Sequence, residues 1–345
     1  MFSNLKIQRI QSLDVLRGIS ILIVISGHYG ALQFITNFIS IKQVDDTIIF
    51  FRAIDGVFLF FLISGYFMGS IYEKTKSINF LKRRWLRLIP VFIIASLIAF
   101  VIELIFPEGL PKERLSTTTD YITTIIYACS FGLIRGELTQ GAYWSLILEF
   151  RFYLLLCILI FFKISLRNSI FFLSTLSFSS LFLSHSGIQS LFASLPFFTI
   201  GMSCWRLWNK DVNIKEAYEF FYSVLVLFFI CKIGVSTPSF PLNYQSTPVI
   251  GALLVIFFAF IKYQNSKILN NRILYPVVFF GLISYPLYII HQETGMIIEF
   301  LLKNSFNEIS FIFIEIFVIK LLISLILAAL VHISLERKIL SLKEK

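Results

Sequence analysis

Apolar runs of about 18 or more residues recur from one end of the chain to the other, and each is long enough to cross a hydrocarbon core of about 30 Å as a helix. They cover 11–32, 47–71, 88–106, 143–162, 169–184, 188–205, 217–234, 247–261, 273–302 and 310–334. A further apolar segment, 121–134, has about fourteen residues, which suits a short re-entrant or interfacial piece better than a crossing. The pattern therefore predicts an all-α fold: a polytopic transmembrane bundle of about ten spans in a single membrane-embedded domain. No stretch remains for a fused soluble domain. Near the start, Asp14 and Arg17 interrupt the first apolar run and no small-residue cleavage site follows, so this run reads as a retained span and not as a signal peptide.

Composition agrees with that reading. Of the 345 residues, 57% are hydrophobic, 14% are charged and 40 are Phe, which excludes a water-facing surface of ordinary size. The four cysteines, Cys129, Cys157, Cys204 and Cys231, lie in apolar stretches without CxxC or zinc spacing. They read as packing residues, and neither a disulfide framework nor a metal site is expected.

Charge orients the bundle. With ten spans and both termini in the cytoplasm, cytoplasmic segments hold 20 of the 30 basic residues, among them Lys6, Arg9, Lys82, Arg83, Arg84, Arg87, Arg206, Lys262 and Arg337. Outer segments hold five: Lys42, Lys112, Arg114, Arg135 and Lys303. An eleventh crossing at 121–134 would invert every later loop and place the basic clusters outside. The net charge of +10 is thereby explained by orientation and contact with anionic lipid, with no need for a nucleic-acid partner.

The remaining basic residues, Arg17, Arg52, Arg151, Lys232 and Lys320, fall inside spans, where an ionised group costs about 2.5–3.5 kcal/mol near the bilayer centre unless it pairs or snorkels. Arg52 and Asp55 are three apart and read as an ion pair. Asp14, Arg17 and His28 share one stripe of the first span. On the span at 143–162, Ser145, Glu149 and Tyr153 stand at i, i+4 and i+8 beside Trp144; on the span at 273–302, Ser284, Tyr288 and His291 stand at i, i+4 and i+7. These spacings bring His28, Glu149 and His291 to one depth in the outer half of the membrane. A buried histidine is commonly a satisfied structural group, but its near-neutral pKa also makes it a proton acceptor for a hydroxyl. At the opposite surface FLKRRWLRLIP (80–90) reads either as a topogenic cluster with an interfacial Trp, or as a phosphate clamp in which Arg84 and Arg87 grip a soluble donor. No P-loop, GxGxxG, HExxH or GxSxG motif occurs.

Five stretches in order, SLDVLRGISILIVISGHYG (12–30), DGVFLFFLISGYFMG (55–69), RRWLRLIP (83–90), YWSLILEFRFY (143–153) and ISYPLYIIH (283–291), resemble the membrane acyltransferase family 3. Members are bacterial inner-membrane proteins that O-acylate, most often O-acetylate, surface glycans. The resemblance implies an essential Arg-x10-His motif at Arg17 and His28, and an Arg-x-x-Arg motif at Arg84 and Arg87, with Arg83 beside it, serving acyl-CoA. It also implies a Trp-Ser-Leu-x-x-Glu pattern at Trp144, Ser145, Leu146 and Glu149. On that basis His28, Glu149 and Arg17 are the expected catalytic residues, His28 as general base or as transient acyl carrier, with Glu149 orienting or charge-stabilising it. Ser145, Trp144, Tyr153, Tyr288, His291 and Asp14 are expected to line the acceptor side. Acetyl-CoA is the expected co-substrate, without a metal, and the expected acceptor is an O-antigen, exopolysaccharide or lipid-linked oligosaccharide. Arg17 and His28 lie about 16 Å apart along a helix, so they should have distinct jobs. The C-terminal portion reads HISLERKIL (332–340) where the family approximates to Glu-Lys-Pro, which leaves Glu336 unassigned. A flippase for a lipid-linked glycan would instead show inverted repeats, which are not visible, and a glycan polymerase would want a larger outer loop than 107–142.

Overall fold

The computed structural model describes residues 11–31, 52–109, 116–134, 136, 138–184, 187–209, 217–236, 241–266, 269, 271–305 and 312–336. Many basic residues that set the expected orientation, including Lys6, Arg9, Lys42, Lys112, Arg114, Arg135, Lys210, Lys215, Lys267 and those from Arg337 onward, lie outside them.

The described chain is overwhelmingly α-helical. In order, the helices are α1 (Gln11–His28), α2 (Ala53–Tyr72), α3 (Ser77–Ile105), α4 (Thr118–Cys129), α5 (Tyr143–Phe161), α6 (Leu166–Leu176) and α7 (Gly187–Asn209). They continue as α8 (Tyr218–Ile233), α9 (Thr247–Lys262), α10 (Tyr275–Leu282), α11 (Ser284–Ser305) and α12 (Ile312–Val331), with a π-helical turn at His332–Glu336. Apart from these, Val235–Ser236 pairs antiparallel with Pro241–Leu242.

Six helical stretches are individually long and apolar enough to cross a membrane: Ala53–Tyr72, Ser77–Ile105, Tyr143–Phe161, Gly187–Asn209, Tyr244–Lys262 and Ile314–Glu336. The bent pair Arg272–Leu282 and Ser284–Leu302 makes a seventh. Each of the ten expected runs contains a helix, but α1, α6 and α8, which has 16 residues, do not meet that standard alone. The helix in the doubtful 121–134 region, α4, has only 12 residues. Its C-terminal turn is tied to α5, because Arg151 Nη2 donates to Tyr127 Oη at 2.9 Å and to the Gly132 carbonyl at 3.0 Å.

Helices in lipid gain little from apolar burial against one another, so close van der Waals fit must hold them. The α2–α7 contact shows how. A Cβ on Gly65 would overlap the Phe198 carbonyl, and one on Gly201 would overlap that of Leu62, so the backbones touch where only glycine fits. Gly69 lies against Met202 of the same helix, which places both small positions of Gly65-x-x-x-Gly69 inside the protomer. Aromatic rings fill the flanks: Phe58 stacks on Phe197 at 4.3 Å between centroids and Phe152 on Phe198 at 4.0 Å. Gly18 and Gly281 serve likewise between α1 and α10, meeting Val277 and Asp14.

The expected single span at 273–302 is broken, with a bend of 66° between α10 and α11. Pro286 explains it: lacking an N–H, it cannot bond back to the Leu282 carbonyl. The Ser284 hydroxyl bonds the Gly281 carbonyl at 2.8 Å across the break. The bend turns Tyr285 towards α3, where its hydroxyl donates to the Leu88 carbonyl at 2.9 Å.

Candidate functional site

The break at Ile283, the close approach of α1, α2, α3 and α5 and the turn that carries Glu336 leave a cavity where six chain segments converge. It holds about 870 Å3 of empty space, its open mouth included. Its polar lining comprises Arg17, Ser64, Arg84, Arg87, Ser145, Glu149, Tyr153, Ser284, Tyr285, Tyr288 and Glu336, set among Phe60, Phe61, Phe67 and other apolar side chains.

Three guanidinium groups share this space. Arg84 and Arg87 are one turn apart on α3, so both face inward; Arg83, rotated by about 100° on the same helix, is exposed and does not line the cavity. Arg17 reaches the cavity from α1, its guanidinium 4.8 Å from the centre of the Phe67 ring and 3.8 Å from Asp14. Arg84 interacts with Glu149, Tyr153 and Arg87, and Arg17 with Glu149, Glu336 and Arg87. The buried Nε of Arg84 has no hydrogen-bond partner among the described residues. A buried donor without an acceptor costs about 1–3 kcal/mol, so an oxyanion in the cavity would remove a standing penalty.

Glu149 is held from two helices. It accepts from Ser64 Oγ at 2.7 Å and from the hydroxyl of Tyr153 one turn further along α5. It therefore belongs with the arginines and not with His28, against the expectation that it orients that imidazole. Equal depth along separate helices fixes only one coordinate, and the facing of α5 directs Glu149 at α2 and α3.

His28 closes on another partner. At the C-terminal end of α1 its Nδ1 lies 2.8 Å from His291 Nε2 of α11, with ring centroids 5.0 Å apart and planes tilted by 32°. His28 is exposed, whereas His291 has no accessible surface. His291 Nδ1 lies 2.8 Å from the Tyr288 carbonyl. The Tyr29 hydroxyl, 2.9 Å from Ser324 Oγ, donates to the His291 carbonyl at 2.9 Å.

Ser145 and Tyr288 stand between the two polar groups. Their hydroxyls are 2.6 Å apart, and that of Tyr288 also lies 2.9 Å from the Ala142 carbonyl. Tyr288 lines the cavity and contacts the His291 ring at 5.7 Å between centroids, yet neither imidazole lines the cavity.

Two further expectations are corrected by packing. Asp14, although paired with Arg17, lines a separate shallow cleft with Gln11, Tyr275, Val278, Phe279 and Leu282. Trp144 packs partly buried against the apolar core outside the cavity. Conversely, Ser64 and Tyr285 line the cavity without having been singled out, and so does Glu336, which the sequence left unassigned. Glu336 Oε2 lies 2.7 Å from His332 Nδ1.

Two other intramembrane cations are accounted for structurally, and Lys232 is exposed. Lys320 pairs with Glu299 at 2.6 Å and lies 4.4 Å from the centre of the Tyr29 ring. Arg52 lies 3.5 Å from Asp55 Oδ1, and its backbone N–H donates to Asp55 Oδ2 at 2.6 Å at the start of α2.

In the comparisons with known proteins, the family model described as an acyltransferase domain, of the acyltransferase 3 type, matches residues 10–333. No curated protein and no solved structure matches the chain.

Proposed function

The chain belongs to the membrane acyltransferase family 3 and is a multi-pass membrane acyltransferase; from that premise we propose that it moves an acetyl group from cytoplasmic acetyl-CoA to a sugar hydroxyl of a cell-surface polysaccharide. The chain would lie in a bacterial inner membrane with ten crossings and both termini in the cytoplasm, as its basic residues favour. The acceptor is an O-antigen, exopolysaccharide or lipid-linked oligosaccharide, presented at the outer face.

The observation that carries this reading is the convergence of Arg17, Arg84 and Arg87 on one cavity that ends against Ser145 and Tyr288, with the His28–His291 pair directly beyond. Arg84 and Arg87 sit where a helix enters from the basic 82–87 segment, and their forked donors suit the phosphates of a coenzyme A. Glu149, fixed by Ser64 and Tyr153, interacts with both Arg17 and Arg84 and offsets the repulsion within the arginine cluster. Ser145 and Tyr288, bonded to each other at 2.6 Å, close the cavity off from the imidazoles, so they would have to part for the thioester end of the donor to reach His28, which takes the proton of the attacking hydroxyl.

The test uses the purified protein in proteoliposomes and the strain that carries it. Turnover of acetyl-CoA by the wild type, its loss in Arg84→Ala with Arg87→Ala and in His28→Gln, and disappearance of acetyl esters from the surface polysaccharide on deletion are expected. Unchanged acetyl ester content by mass spectrometry after deletion would refute the glycan assignment. Full acetyl-CoA turnover in all the variants would refute the donor site.

A further inference from the structure

His291 is the one histidine of the pair that substrate cannot touch. Its side chain has no accessible surface, while that of His28 at the end of α1 is exposed. Both nitrogens of the buried ring are nevertheless engaged, and their partners differ in kind. The Tyr288 carbonyl oxygen, 2.8 Å from His291 Nδ1, can only accept a hydrogen bond. His291 Nδ1 therefore carries a proton. A neutral imidazole has one N–H, so His291 Nε2 is a bare lone pair, and the 2.8 Å contact to His28 Nδ1 needs a proton from His28. His28 in turn must hold its single proton on Nδ1, which leaves its Nε2 as the free basic atom.

We propose that His291 is a positioning residue that locks His28 into the Nδ1–H tautomer and so directs the lone pair of His28 Nε2 at the acceptor hydroxyl. The proposal rests on the acyltransferase reading and adds to it the reacting atom and the origin of its orientation. An unpartnered imidazole is free to place its proton on Nε2 and to rotate; either would remove the base. In Ser-His-Asp hydrolases a carboxylate performs this duty, and there the wrong tautomer costs about 10^4 in kcat. Here a neutral imidazole does it from a fully buried position, where a carboxylate would carry a large desolvation cost.

The chemical step balances as follows. The acceptor oxygen bonds to the thioester carbonyl carbon while its proton passes to His28 Nε2, giving an imidazolium that still donates Nδ1–H to His291 Nε2. Collapse of the tetrahedral adduct breaks the C–S bond, and the departing thiolate takes the Nε2 proton. The products are the ester and coenzyme A thiol, with His28 neutral again. His291 passes no proton onward, because its other N–H faces a backbone carbonyl. Tyr29 reinforces the arrangement from the residue next to His28, by bonding the His291 carbonyl.

Two amide variants separate positioning from mere filling of space. Glutamine at 291 carries an acceptor to the place of Nε2; asparagine retains a donor near Nδ1 for the Tyr288 carbonyl but cannot reach His28. Activity is read as transfer of radiolabelled acetyl from acetyl-CoA into the endogenous acceptor of inverted membrane vesicles, over a range of acetyl-CoA concentrations. His291→Asn should lower Vmax by about 10- to 100-fold with the KM for acetyl-CoA unchanged, and His291→Gln should stay within about threefold of wild type. Nitrogen-15 solid-state NMR of the wild type, with signals assigned by loss in His28→Gln and His291→Gln, should show both rings protonated at Nδ1 and bare at Nε2. Equal activity of the Asn and Gln variants, or a His28 ring protonated at Nε2, overturns the proposal. Full transfer in His28→Gln would sink the acyltransferase role of His28 itself; a dead His28→Gln with an unimpaired His291→Asn would sink only the positioning role.

Discussion

Replacing Arg84 by lysine should weaken acetyl-CoA binding without slowing the chemical step. The substitution keeps a positive charge in the cavity but removes the planar fork, including the buried Nε that has no partner among the described residues. If that fork grips a donor phosphate with two parallel bonds, lysine retains at most one. A hydrogen bond to a charged group is worth about 1.5–3 kcal/mol, which converts to a rise in KM of about 12- to 150-fold at 1.4 kcal/mol per factor of ten. The phosphates are remote from the reacting carbon, so the lost contact is the same in ground and transition states, and kcat should hold.

Initial rates of coenzyme A thiol release in proteoliposomes, measured with acetyl-CoA and with S-acetyl-pantetheine, decide the matter. The second donor has the same thioester and arm but no phosphate. Wild type and Arg84→Lys should differ in KM only with the first. A fall in kcat at unchanged KM, or a penalty of equal size with both donors, would refute the phosphate-grip reasoning and move Arg84 to the reaction centre.

Other outcomes follow from named contacts. Glu149→Gln should lower kcat/KM for acetyl-CoA by about tenfold or more, through loss of the anionic acceptor of Ser64 and Tyr153; in double-mutant cycles it should couple to Arg84→Ala and add independently to His291→Asn, whereas coupling to the latter would put Glu149 on the imidazole pair after all. Tyr288→Phe deletes the hydroxyl shared with Ser145 and the Ala142 carbonyl and should raise thiol release relative to acetyl transfer several-fold; an unchanged ratio would remove Tyr288 from the barrier between cavity and imidazoles. Gly65→Ala drives a Cβ into the Phe198 backbone and should cost about 1–3 kcal/mol by overpacking, whereas Gly251→Ala, with nothing within 4 Å of the new atom, should be neutral or stabilise by up to about 1 kcal/mol; thermal unfolding in detergent compares them, and equal midpoints would refute the packing account.

What the sequence disclosed follows the physics of lipid. Hydropathy and span length are strong signals because the solvent is uniform and unforgiving, so the α-helical membrane fold was legible. Depth was legible too, since helical rise converts residue number into height, and His28 and His291 do lie together. Azimuth was not. Glu149 was placed beside His28 by height alone, whereas the facing of α5 sends it to Ser64 and the arginines. Ser64 and Tyr285 escaped notice, and Glu336 was left without a role, for the same reason, since nothing in the 55–69, 283–291 or 332–340 stretches states which face meets the cavity. The break at Ile283 had a visible cause in Pro286, but proline is tolerated inside other helices of this chain, Pro90 in α3 and Pro196 in α7. Only the neighbouring α1, pressed close at Gly18 and Gly281, settles that the helix bends there.

That bend also accounts for how one chain can keep an arginine cluster and a pair of imidazoles close to each other yet apart. α5 and α11 each carry a residue of both systems about one turn apart: Glu149 and Ser145 on the first, Tyr288 and His291 on the second. Ser145 and Tyr288 meet at 2.6 Å and form the boundary. The guanidinium groups on one side are thereby separated from the imidazole pair along that route, while His28 meets the surface at the end of α1. A straight helix through 273–302 would keep the same spacing along its axis, but it would lack the turn at Ile283 around which Ser284, Tyr285 and Tyr288 line the cavity while His291 stays behind them. The placement of Pro286 two residues before Tyr288 thus bears on the site as well as on the fold: it lies at the turn that separates the arginine cavity from the imidazole pair.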